Sequence, residues 1–187
     1  GYCRRYLDQW EKRATVRHLP RTRLSAEAAR HELFPAAMQP ILKHAEVVAR
    51  GPEARHRLLA RATGTFMLHV AILEVDVITD LCIRLVNKGA DAPVPESALQ
   101  VALTVSTDEA YHAYVAREFL GDLEKHTGVV PGPAGDSDMP LIGGLAAVRR
   151  RAPPELARAA DTMVLCFAEN FVTEELFGLS KETDPEG

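Results

Sequence analysis

Thr107-Asp108-Glu109-Ala110-Tyr111-His112-Ala113-Tyr114 sets a glutamate and a histidine three residues apart, with a second acid directly before them. On a helix, positions i and i+3 share one face, so Glu109 and His112 can point at the same object. A carboxylate and an imidazole aimed together into a helix bundle form half of a carboxylate-bridged pair of metal ions. The chain carries its own control. Glu53-Ala54-Arg55-His56 has the same spacing, but it follows Gly51-Pro52 and lies among Arg55, Arg57 and Arg61. That copy reads as the solvated first turn of a helix and receives no function. Glu109 and His112 differ in their apolar surroundings and in two further isolated acids, Glu74 and Glu169.

These acids fall on three long predicted helices. The first runs from Pro52 to Lys88, and beyond about Phe66 nearly every position is apolar, as in a helix buried on several sides. Glu74 sits in the middle of that stretch. An unpaired buried carboxylate costs several kcal/mol, so it needs a strong partner or a proton. It is therefore either satisfied by an arginine from a neighbouring helix or a metal ligand. The second helix runs from Glu96 to about His126, with Leu99, Ala102, Leu103, Val115, Phe119 and Leu123 on its apolar face. Glu109 and His112 interrupt that face. Asp108 either fixes the tautomer of a histidine ligand or is solvated on the opposite side. Tyr111 and Tyr114 read as packing residues. Pro153-Pro154-Glu155 opens the third helix, to about Leu179, with Glu169 central and Glu174 and Glu175 solvated.

Around these lie shorter pieces. Residues 1–51 form short helices: one before Pro20, one over Ala26–Leu33 capped by Ser25, and one from Ile41 to about Arg50. Residues 127–140 are a surface crossover, 141–151 a short helix ending in three arginines that complement its dipole, and Ser180–Gly187 a linker. The expectation is a single all-α domain over residues 1–187, with three long bundle helices in 52–187.

Composition narrows the class. The 187 residues are 47% hydrophobic, enough for one substantial core. Residues 1–23 hold seven Arg/Lys against Asp8 and Glu11, leaving +5 there and −9 in the rest of a chain whose total is −4. Tyr2, Tyr6, Leu7 and Trp10 lie among those charges, which favours a packed segment over a nucleic-acid arm. Cys3, Cys82 and Cys166 are odd in number and widely spaced, as in a reducing cytoplasm rather than a disulfide framework. No apolar run reaches the length of a membrane span.

Convergent carboxylate and imidazole donors suit iron or manganese better than a structural zinc site, which usually recruits cysteine. Glu74 and Glu109 are 35 residues apart and Glu109 and Glu169 are 60, each enough to leave one helix and return on another. The order Glu, Asp-Glu-x-x-His, Glu resembles the ferritin-like di-iron oxygenases, most closely the arylamine N-oxygenases of the p-aminobenzoate N-oxygenase type. Val70-Ala-Ile-Leu-Glu74, Asp108-Glu-Ala-Tyr-His112-Ala-Tyr and Ala168-Glu169-Asn170 are similar to that family's style. The resemblance implies that Glu74, Glu109, His112 and Glu169 ligate two iron ions, with Glu109 bridging them and central to catalysis. It also implies O2 as co-substrate, an external electron donor delivered by an electron-transfer partner, a small-molecule amine oxidised toward hydroxylamine or nitro products, and a homodimer.

One departure stands out. The family pattern needs another bundle helix with a second Asp-Glu-x-x-His and a further upstream histidine, and no histidine follows His126. His69 reads as a packed or supporting residue rather than a replacement. Three helices of a four-helix bundle would leave an apolar groove. The expectation is a natural chain that continues past Gly187, or a partner chain that supplies the helix. Two rivals remain: a ferritin-like oxidase, C–H hydroxylase or iron-handling protein, and a metal-free helical module whose groove binds a partner helix. Phe66, His69 and Val70, one to two turns before Glu74, line either a pocket or a packed core.

Overall fold

Gly51, at φ +79°, turns the chain out of one short helix and directly into the next, where Pro52 occupies the first turn. A left-handed residue there is favourable only for glycine. The computed structural model describes residues 1–18, 20–87, 94–132 and 139–183, and these are all-α. Helices α1 (Tyr2–Arg13), α2 (Thr15–His18) and α3 (Ala45–Ala49) precede α4 (Gly51–Leu73). A π-helical segment, Glu74–Thr79, joins α4 to α5 (Asp80–Asn87), so one apolar rod carries all three. Helix α6 (Glu96–Thr127) ends where Gly128, at φ +67°, donates its N–H to the Glu124 carbonyl. Helices α7 (Pro140–Arg151) and α8 (Ala157–Thr183) complete the order.

The rod is central. It runs antiparallel to α6: Gly64 faces Leu123, Ala71 packs with Ala113 and Ala116, and Ala102 joins the cluster of Ile78 and Leu81. Small residues at the middle of this crossing let the backbones approach closely, which is why Glu74 and Glu109 meet across it. Helix α8 lies antiparallel to the same rod, with Val164 and Ala168 buried against Leu73, Val77, Leu81 and Cys82. Arg149 at the end of α7 bonds Asp161 of α8 and lies 3.5 Å from Asp80 of α5. That arginine thus joins three helices as well as complementing the dipole of its own.

Helix α1 packs on α6, so the basic segment is docked rather than a free arm. Two expectations change. Residues 26–33 form a single 3₁₀ turn, Ala28–Arg30, instead of an α-helix, although Ser25 Oγ does accept the Ala28 N–H at 3.0 Å. Nucleating a helix fixes several residues for one hydrogen bond, and here α4 competes for the carbonyls. His56 Nε2 donates to the Ala29 carbonyl (2.9 Å), and Thr63 Oγ1 donates to that of Leu33 (2.7 Å). The helix expected over 41–50 splits at extended His44 into a 3₁₀ turn, Pro40–Lys43, and α3. Helix α8 continues through Ser180 to Thr183, into the stretch read as a linker. Pro93 of the expected turn, Lys88-Gly89 at the first long helix's end, crossover residues 133–138 and tail residues 184–187 lie outside the described residues.

Candidate metal centre

Glu74 opens the π segment and Glu109 lies mid-α6, both buried at the centre of the helix crossing. A π turn holds one residue more than an α turn and shifts the register of everything after it; such segments recur at functional sites. Nothing in Glu74-Val-Asp-Val-Ile-Thr79 announces one. His112 stands one turn beyond Glu109. Donor atoms of Glu74, Glu109 and His112 lie within 4.8 Å of one another. In this arrangement His112 Nδ1 donates to Glu109 Oε2 at 2.8 Å, and Glu74 Oε2 is buried without a hydrogen-bond partner.

The electrostatics follow from that crowding. Burial, reinforced by the facing Glu109 carboxyl and by Glu169, pushes Glu74 up to about 10. Burial also acts on Glu109, but hydrogen bonds from His112 and Glu74 outweigh it and hold Glu109 below the usual carboxylate range. His112 is raised by its bond to Glu109, despite the cost of burial. Two facing carboxyls out of water cannot both ionise without a cation, so one keeps a proton.

Glu169 does not join the three. Ala168, fully buried, takes the α8 position that faces the rod, and Glu169 is rotated to a half-buried position beside it. It still senses the cluster: burial first, then Glu109, pushes its carboxyl up to about 7, with His112 opposing. Among the described ion pairs none involves Glu74 or Glu169, so the arginine partner considered from the sequence is not present. The His112 side chain is 46% exposed, so the surroundings expected to be apolar cover the carboxylate and leave the imidazole at the rim.

Asp108 is half-buried and bonds to α1 instead of to His112. Its Oδ2 accepts the indole N–H of Trp10 at 2.7 Å, while Oδ1 is buried without a hydrogen-bond partner. Its link to His112 is electrostatic. Tyr6, one turn before Trp10, is pushed up by burial, with smaller contributions from Asp108 and Glu169. Helix α1 therefore closes one flank of the site with Tyr6 and Trp10, which sequence reasoning took only as packing. The i, i+4, i+8 spacing of Tyr2, Tyr6 and Trp10 was the available signal. Tyr111 and Tyr114 lie on α6 away from the cluster; Arg21 covers the Tyr114 ring at 5.1 Å and donates to its hydroxyl.

The donor set fits one divalent cation of the iron or manganese type: two carboxylates, one imidazole, and an orphaned buried oxygen that a cation would satisfy. A second ion would draw on Glu169 and on donors beyond these.

Beside the cluster lies a half-open cavity of about 210 Å³, with Phe66, His69, Val70 and Leu73 on one wall, Ile142 of α7 and Val172 of α8 on the others. Phe66, His69 and Val70 thus line a cavity, while Phe66 also packs against the Phe34 cluster of the core.

No family model matches the chain, and no curated protein or solved structure matches it either. The resemblance to the N-oxygenases rests on the quoted residues alone.

Proposed function

We propose that this chain carries the metal site of a non-haem iron oxygenase that uses O2 to oxidise the nitrogen of an amine. The observation that carries the reading is the buried Glu74–Glu109 pair with His112 in reach and, among the described residues, no lysine or arginine paired with either acid. Three donors converging at a helix crossing, at the energetic expense of burying two acids, are difficult to account for as packing. The resemblance of Asp108-Glu109-x-x-His112 and the flanking Glu74 and Glu169 to a di-iron ligand set supports iron over other metals; a second ion would need Glu169 to turn toward the three donors.

Iron, when bound, supplies O2 activation; the protein supplies everything that makes this selective. Glu109, ionised and shared between Glu74 and His112, is the anionic centre of the site. Glu74 holds a proton that cation binding would release. Trp10 fixes Asp108, and Asp108 places negative charge beside His112. For a primary amine the balance is one oxygen atom inserted into an N–H bond and the other released as water, with two electrons and two protons from an external donor.

The stripe Met163, Phe167 and Phe171, at helical spacing on α8 and 72%, 55% and 40% exposed, supports a surface covered by another helix. A metal-free interaction module would also need such a surface. The two readings part on turnover. Full-chain protein loaded with Fe(II), given O2, a chemical reductant and an arylamine, is expected to yield hydroxylamine or nitro product. Product from C–H oxidation alone, or none with iron bound, would overturn the N-oxygenation.

A further inference from the structure

The cavity beside the cluster has a shape and lining that specify more than an amine. On α4, Val70 stands at i and Glu74 at i+4, and on α8 Glu169 and Val172 are i and i+3, each pair about one turn apart. The carboxylates and the cavity walls therefore come from the same stretches of α4 and α8, and Leu73 of the wall directly precedes Glu74. Leu141 and Ile142, in the first turn of α7, form the opposite wall.

We infer that this cavity binds a neutral, single-ring aromatic molecule and excludes charged analogues. Size sets the first limit. An engineered apolar cavity of roughly 150 Å³ takes up benzene, so about 210 Å³ has room for one ring with a small substituent. Charge sets the second. Among the described lining residues there is no lysine, arginine or acid, and His69 is the one titratable side chain. A carboxylate-bearing ring would enter apolar surroundings with no cationic partner among the described lining residues. An ammonium group would lose its hydration to hydrocarbon walls. An uncharged amine on a ring meets neither penalty and has its nitrogen free to lie toward Glu74.

As a substrate assignment this rests on the proposed function; as a binding site it does not, and the test keeps the two apart. Metal-free full-chain protein is titrated at neutral pH with toluene, aniline, benzoate and protonated benzylamine, followed by ligand-observed NMR, and the same preparation is assayed separately for iron uptake. Toluene and aniline are expected to bind, with both ions weaker by on the order of 100-fold, because an unpaired charge moved out of water costs several kcal/mol. Val172→Phe fills the cavity from α8 and Ile142→Phe from α7, which carries none of the acids. Each is expected to weaken toluene binding by about 10-fold or more at unchanged helix content. Benzoate binding as tightly as toluene, no binding of either neutral ring, or indifference to whichever filling variant folds would overturn the inference. Toluene binding without iron uptake would sink the oxygenase and leave the cavity assignment standing; iron uptake without toluene binding would do the reverse.

Discussion

Glu53 and His56 stand at the start of α4, and Glu109 and His112 in the middle of α6, with identical spacing. Glu53 is exposed, and His56 gives its Nε2 proton to the Ala29 carbonyl, pinning an irregular segment to the helix. Glu109 is buried, hydrogen-bonded to its own histidine and faced by Glu74 from the neighbouring helix. The local geometry of i and i+3 is common to both. What separates them is the crossing partner: a helix start supplies solvent, whereas mid-α6 meets the rod at Ala71, where small side chains bring a second carboxyl into contact. A motif of this kind is a statement about one helix, and a metal site is a statement about two.

Removing each glutamate in turn separates the two pairs by the largest effect. Glu109→Ala is expected to abolish iron loading and turnover, and Glu53→Ala to leave both unchanged, as read by metal content and product formation. Equal loss in both variants would erase the distinction. A subtler separation comes from pH. In the metal-free protein the folded chain holds a proton on Glu74 up to about 10, whereas the unfolded chain releases it near the ordinary 4.5. The contribution is therefore fully present below the unfolded value and lost as pH rises toward the folded one. Glu169, raised to about 7, adds to the fall in the lower half of that window. Glu74→Gln should flatten the slope and raise stability by roughly 1–3 kcal/mol at alkaline pH, measured by urea unfolding; a variant less stable than the parent there would contradict the buried-pair account.

Trp10→Phe leaves the half-buried Asp108 without the indole N–H that it accepts. The expected effects are a loss of about 1–3 kcal/mol in stability and of roughly 10-fold in iron affinity. A loss of stability with unaltered affinity would make α1 a mere prop. The smallest effect belongs to the control pair. His56→Ala removes one hydrogen bond to a loop, worth about 0.5–1.5 kcal/mol, with no change in iron uptake.

The three long helices were legible because their apolar content, prolines and glycines act over short range, and Gly51-Pro52 and Thr127-Gly128 mark ends almost to the residue. Glu74 stood out as an acid in an apolar run. Its π segment did not, because an extra residue in a turn is imposed by packing against α6 and α8 and leaves no pattern in the sequence. Glu169 shows the same limit from the other side. Being central in an apolar helix does not specify its rotation, and Ala168 takes the position that faces the rod. Trp10 finding Asp108 across 98 residues is tertiary information of the kind no local reading contains.

On the proposed function, Glu74, Glu109 and His112 hold a cation that Glu53 and His56 do not. Anaerobic titration of the metal-free full chain with Fe(II), by calorimetry with proton release followed in parallel, tests it most directly. Saturable uptake is expected, accompanied by release of the Glu74 proton, lost in Glu109→Ala and retained in Glu53→Ala. No uptake, or uptake that survives Glu109→Ala, would mean that the buried acids are a structural feature of the helix crossing and not a metal site.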